Sequence, residues 1–211
     1  YLIGPGLLDS LKENVKYLIN YNVDDPFSKP EWMKWRIFRK AIPYYDLHAV
    51  VRVQNINEVK NALLDKNYTD IIIALGSRDL KGVPVRSTGT KNIIDSLTGS
   101  SLRGKLHVIS AHGIGNSWNK LSWFEKLISK LLIGKTMKDH ELQESYINNY
   151  SGQYHIIRPV ALKDTAGTGK IIENNDAPLP NSDISREDVA TFIVDGVLSN
   201  KVGVSSICKG N

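Results

Sequence analysis

The 211-residue chain has one cysteine, Cys208, so no internal disulfide framework can staple it. No run approaches the ~20 apolar residues that a membrane-crossing helix needs. Tyr1 to Gly6 is too short for a secretory leader and carries no basic residue. Charge of one sign is scarce as well: Lys and Arg number 27 against 22 Asp and Glu, a surplus of +5. That surplus is compatible with an anionic ligand and is a weak sign of nucleic acid. Linkers rich in Gly, Ser or Pro are missing, and so are internal repeats. Disorder is excluded, because 41 % of the residues are apolar. The expectation is one domain over residues 1–211, large enough to bury a full core without staples. One free thiol and no leader point to the reducing cytoplasm. Two sequons, Asn67-Tyr68-Thr69 and Asn149-Tyr150-Ser151, are what chance gives in a chain rich in Asn, Ser and Thr.

What is present is alternation. Short apolar runs are followed by longer amphipathic stretches, the pattern of βαβ units around a parallel sheet. Tyr1–Ile3 reads as a clipped strand, and Leu7 to Asn20 as a helix with Leu8, Leu11, Val15 and Leu18 on one face. Asn22 to Pro30 reads as a loop. Trp35–Phe38, Leu47–Val53, Asp70–Leu75, Lys105–Ile109 and His155–Ile157 read as strands. Asn57–Leu64, Thr88–Leu97, Trp123–Leu132, Met137–Asn149 and Ser185–Leu198 read as helices, the last opening on a capping-box pair, Ser185 and Asp188. The predicted fold is α/β, a doubly wound parallel sheet.

In such a sheet ligands bind outside the carboxyl ends of the strands. Gly4-x-Gly6 stands before the first helix, where glycines let the backbone approach a pyrophosphate at a helix N-terminus. Asp9 occupies the place of the third glycine. Arg39 closes the Trp35–Phe38 strand, where a guanidinium can engage a 2′-phosphate through two parallel hydrogen bonds. The cluster around it (Lys29, Lys34, Arg36 and Lys40 with Trp32 and Trp35) also suits a solvated surface, and nucleic acid is not the expected partner. Gly76 ends the Asp70–Leu75 run. Ser110 ends the next strand and offers a hydroxyl to a substrate carbonyl or an amide. His112 follows it as a candidate proton donor, since an unperturbed imidazole titrates near neutral pH. The five histidines show no metal-ligand spacing, and neither a P-loop nor a G-x-S-x-G elbow occurs. Asp139, Glu141 and Glu144 with His140 read as a solvated helix face.

Taken in order, these segments resemble a known family. Asp70-IIIALGSRD-Leu80, Ser87-TGTKNIIDS-Leu97 and Lys105-LHVI-Ser110 look like the middle of the atypical short-chain dehydrogenase/reductase superfamily. His155-IIRPVALKDTAGTG-Lys170 and Asn181-SDISREDVATF-Ile193 continue the match. The branch it is most similar to is the NAD(P)H-binding, NmrA-like group that includes biliverdin-IXβ/flavin reductase. The resemblance implies a Rossmann-like fold, NADP(H) as cofactor and a planar conjugated substrate such as a flavin or a bilin. It implies that Gly4 and Gly6 are the phosphate-loop glycines and Arg39 the arginine closing the second strand. Leu75 and Gly76 would lie beside the cofactor ribose, Ser110 near the nicotinamide, and Pro159 after the sixth strand. The Tyr-x-x-x-Lys pair of the wider superfamily is absent, since Tyr146 is followed four places on by Tyr150.

Two functions follow from this reading. The first is an NADPH-dependent reductase with Ser110 and His112 at the reacting centre. The second is a non-catalytic protein that senses NADP(H), holds a pigment or docks a partner on the same fold.

Overall fold

A computed structural model describes residues 19–22, 47–50, 63, 68–76, 84–99, 104–123, 126–127 and 134–210. Its centre is a sheet of five strands: β3 (Asp70–Ile73), β4 (Lys105–Ile109), β5 (Tyr154–Pro159), β7 (Ile171–Glu173) and β9 (Gly203–Lys209). Their spatial order is β3-β4-β5-β9-β7. The first four run parallel, and β7 closes the edge antiparallel to β9. Two further parallel pairs are β1 (Ile19–Asn22) with β2 (Leu47–Val50), and β6 (Ala161–Lys163) with β8 (Asp183–Ser185).

Parallel strands need crossovers, and three helices supply them: α1 (Val85–Thr98), α2 (Gly134–Asn148) and α3 (Arg186–Leu198). Alternation within each strand sends side chains to opposite faces. Ile71, Ile73, Leu106, Val108 and Ile156 pack with Ile93 and Leu97 of α1 and Ile147 of α2. Ile109, Ile157 and Ile207 pack with Val189 and Ile193 of α3 on the other face. Each of these buried isoleucines removes apolar area worth roughly 1.5–3 kcal/mol. Cover on both faces is the doubly wound Rossmann-like arrangement that the β-branched Asp70–Leu75 run predicted.

The α3 face also carries a polar row, with one side chain from each of the five strands. His107 Nε2 lies 2.9 Å from Asp70 Oδ1. The His107 ring meets His155 edge-on at 5.8 Å between centroids. His155 Nε2 lies 2.9 Å from Ser205 Oγ, which donates to Glu173 Oε1 at 2.6 Å. Because Ser205 spends its proton on Glu173, it accepts from His155, and His155 carries its hydrogen on Nε2. Lys201 pairs with Glu173 and lies 4.6 Å over the Phe192 ring. This row crosses the amino-terminal half of the sheet, away from the strand exits.

The predicted 88–97, 137–149 and 185–198 helices are found, with α1 starting three residues earlier than Thr88 and α2 at Gly134. Ser185 caps α3, its Oγ accepting from the Asp188 N–H at 2.9 Å. That leaves the Asp188 carboxylate free to accept from the backbone of Thr168 and Gly169 at 2.8–3.1 Å. The quoted segments Thr168-Gly169 and Ser185-x-x-Asp188 are therefore two halves of one clamp. The first difference is at the start: Ile19 and Asn20, expected at the end of a helix, are in a strand that pairs with Leu47–Val50. Ile19 and Tyr21 are β-favouring residues, and pairing overrides helix propensity. The second is the set β6 to β9, which sequence reading passed over. The Trp35–Phe38 strand and the segments 7–18 and 57–62 lie outside the described residues. Of the predicted 123–132 helix, residues 123, 126 and 127 are helical.

Candidate functional site at the carboxyl ends of the strands

The exits of β3, β4 and β5 lie side by side because the strands are parallel neighbours. Past Ile73 the backbone runs on through Ala74, exposed, Leu75, buried, and Gly76, exposed. The β4–β5 ladder continues beyond β4, with Ser110 N donating to Ile157 O at 2.7 Å and His112 N to Pro159 O at 2.9 Å. Ser110, His112 and Pro159 are thus brought together on two adjacent strand ends, with Leu75 and Gly76 closing the third. Gly4, Gly6 and Arg39 lie outside the described residues.

Ser110 is buried, and its hydroxyl donates to Glu144 Oε1 at 2.6 Å. Glu144 reaches it from α2 and is gripped from β5 by the fork of Arg158, Nε to Oε1 at 3.0 Å and Nη2 to Oε2 at 2.7 Å. The third arm of the fork, Nη1, donates to Asn116 Oδ1 at 2.6 Å. Asn116 sits in a short 3₁₀ helix, Gly115–Lys120, entered through two positive-φ glycines. Gly115, at φ 58°, passes so close that a Cβ there would lie 2.9 Å from Arg158 Nη2. One ion pair thus ties the β4 exit, α2, β5 and the following turn together. A bidentate Arg–carboxylate pair fixes orientation as well as distance.

α2 holds a second set of buried polar groups. Asp139 accepts from Ser87 N at 2.9 Å, Ser87 Oγ at 2.6 Å and Arg86 N at 3.0 Å, capping the first turn of α1 from outside it. Gln143 Nε2 donates to Thr90 Oγ1 at 3.0 Å. His140 is buried beside Gln143, and burial with the nearby Arg86 charge pushes its pKa down to about 4. The predicted solvated face is therefore corrected. Asp139, His140 and Glu144 are buried because α2 packs on α1 through polar groups opposite small residues, and only Glu141 stays exposed.

Sequence reasoning missed Glu144, Arg158 and Asn116. Arg158 stands directly before Pro159 in the His155–Lys170 segment. Its partners lie 14 and 42 residues away, a spacing that leaves no local signature.

Residues 47–200 match the model of a family described as NAD(P)H-binding. The chain belongs to that family. No curated protein matches it. Solved structures share the fold at low identity. ChuY of Escherichia coli, titled an anaerobilin reductase, is 20 % identical with a TM-score of 0.71, covering 99 % of this chain and 93 % of its own. A Veillonella parvula short-chain dehydrogenase/reductase solved with NADP is 14 % identical with a TM-score of 0.70, covering 98 % and 89 %. A candidate NADH-flavin reductase of Streptococcus pneumoniae is 13 % identical with a TM-score of 0.65, covering 100 % and 95 %.

The described edge fits a nicotinamide nucleotide. Gly76 is exposed, and among the described residues a Cβ on it would meet only the Arg86 guanidinium, at 3.8 Å. An exposed glycine with a guanidinium beside it suits an anionic ribonucleotide. No described helix is long and apolar enough to cross a membrane.

Proposed function

We propose that this chain is an NADPH-dependent reductase of a planar conjugated acceptor of the flavin, bilin or quinone type. The observation that carries the reading is a rigid polar group, Ser110, locked at the strand exits of an NAD(P)H-binding domain. The bilin and flavin names of two fold neighbours, and the NADP held by a third, lend it support. When bound, the nicotinamide nucleotide supplies the hydride, and the protein supplies position.

In this reading Gly4 and Gly6 approach the pyrophosphate and Arg39 takes the 2′-phosphate that distinguishes NADPH from NADH. Leu75 and Gly76 form the floor under the ribose, and Pro159 ends the strand beside it. The Ser110 hydroxyl already donates its hydrogen bond to Glu144. It therefore acts as a hydrogen-bond acceptor, able to orient an amide N–H at the reacting centre. The acceptor takes a hydride and a proton, and His112 at the same edge supplies the proton or relays one from solvent. The buried Cys208 takes no part, and a thiol-poor NADPH enzyme of this kind belongs in the cytoplasm.

The test is oxidation of NADPH followed at its own absorbance with FMN, biliverdin or a naphthoquinone as acceptor. Acceptor-dependent loss of NADPH, several-fold slower after His112→Ala, is the expected outcome. Tight NADPH binding with no turnover on any of the three would replace the reductase by a non-catalytic binder.

A further inference from the structure

We propose that the Arg86 guanidinium docks an oxyanion, carboxylate or phosphate, of the ligands bound at the β3 exit. The proposal deepens the reductase reading and rests on it, by making the ligand at this point an anion.

Two arginines stand at this edge of the sheet, Arg158 buried and Arg86 partly so, and they differ in what their donors do. Arg158 spends all three arms, two on Glu144 and one on Asn116. Arg86 does not. Its ion-pair partner among the described residues is Asp139, and that carboxylate is already held by three other donors: the backbone N–H groups of Arg86 and Ser87 and the Ser87 hydroxyl. The guanidinium approaches it only to 3.6 Å from Nη1 to Oδ2, beyond ordinary hydrogen-bond length. Arg86 is thus paired in charge with Asp139 through one long contact from Nη1, and Nη2 is turned elsewhere.

The fork faces the ligand edge. Nη2 lies 3.8 Å from the position that a Cβ on Gly76 would occupy, and Gly76 is exposed at the strand exit. Any larger residue at 76 would fill the space between the fork and solvent. The Arg86 side chain is 15 % exposed, so its charge is partly desolvated. His140 is held neutral next to it and brings no competing charge, and the neutral Gln143 is turned to Thr90. A partly buried guanidinium whose Nη2 meets no acceptor among the described residues is costly unless a partner completes it. A planar fork is matched best by the two oxygens of a carboxylate or a phosphate.

Binding separates the possibilities without turnover. FMN and riboflavin share their ring and differ by one phosphate, and NADPH reports on the cofactor. Equilibrium binding of each is followed by tryptophan fluorescence for the unaltered protein, Arg86→Gln and Arg86→Lys. The backbone N–H to Asp139 survives any substitution, and a urea melt confirms that each variant is folded. The expected result is FMN binding roughly 10–100-fold tighter than riboflavin, a ratio that collapses toward one in R86Q and stays partial in R86K. A kept or absent flavin ratio with NADPH weakened tenfold or more in R86Q also supports the proposal and assigns the oxyanion to the cofactor. NADPH and flavin affinities that R86Q leaves alone overturn the proposal and spare the reductase reading. No binding of NADPH or of either flavin to the unaltered protein overturns both.

Discussion

Arg158→Met is expected to lower the free energy of unfolding by about 3–5 kcal/mol, the cost of stripping one partner from a buried ion pair. The side chain leaves Glu144 buried with Ser110 as its remaining donor, and it leaves Asn116 without its fork. For a chain of this length that corresponds to a fall in Tm on the order of 10 °C. Arg158→Lys keeps the charge and loses the planar fork, so it falls between the two. The double variant Glu144→Leu/Arg158→Met removes both charges together and is expected to regain much of the loss. Urea unfolding of the four proteins decides it. Single and double variants equal to the unaltered protein would show that the pair is solvated and holds nothing together. Because the same pair fixes Ser110, the single variant is also expected to lower turnover before it unfolds the protein.

The second large effect is with pH. Burial pushes the pKa of His140 down to about 4, helped by the Arg86 charge. Burial does the same to His155, with His107 and Lys201 adding to it, again to about 4. Both rings are therefore neutral in the folded protein and take up a proton near pH 6.5 once unfolded. Stability is complete above about pH 7 and falls as pH drops from about 6.5 toward 4, because the unfolded chain alone binds protons there. For His140 the loss by pH 4 is about 3 kcal/mol, and His155 acts in the same direction. Set against a net stability of roughly 5–15 kcal/mol, this is a large share. Asp70, Glu173 and Asp188 extend the trend lower. Burial opposes their ionisation, but hydrogen bonds from His107, from Lys201 and Ser205, and from the Thr168–Gly169 backbone outweigh it. Their contribution is present above the usual carboxylate range and is lost as pH falls below it. Denaturant midpoints at pH 7.5, 6.5, 5.5 and 4.5 should decline with a slope of about two protons, and His140→Gln should remove about one of them. A flat profile down to pH 4.5 would mean that neither histidine is buried neutral.

How much of this could be read in advance follows from where the information lies. Asp70–Ile73 and Lys105–Ile109 were legible because a short β-branched run bounded by polar residues has few other uses. Ser185 announced the start of α3 because a cap is a local event. β9 was missed because Ser205 and Ser206 interrupt its apolar run, and both are buried only because Glu173 and Asn175 meet them across the chain. Strand exits could be found, so Leu75, Gly76, Ser110, His112 and Pro159 were named as a set. What Ser110 does could not, since its partner arrives from α2, 34 residues away. α2 itself misled for the same reason: Asp139, His140 and Glu144 look solvated until the polar residues of α1 and β5 come to meet them.

The central claim is that the carboxyl edge of this sheet holds NADPH. The most direct measurement is a titration of the purified protein with NADPH and then NADH, read by the quenching of its four tryptophans. The account predicts micromolar binding of NADPH, much weaker binding of NADH, and loss of that preference in Arg39→Ala. No quenching or heat of binding with either nucleotide at millimolar concentration would contradict it.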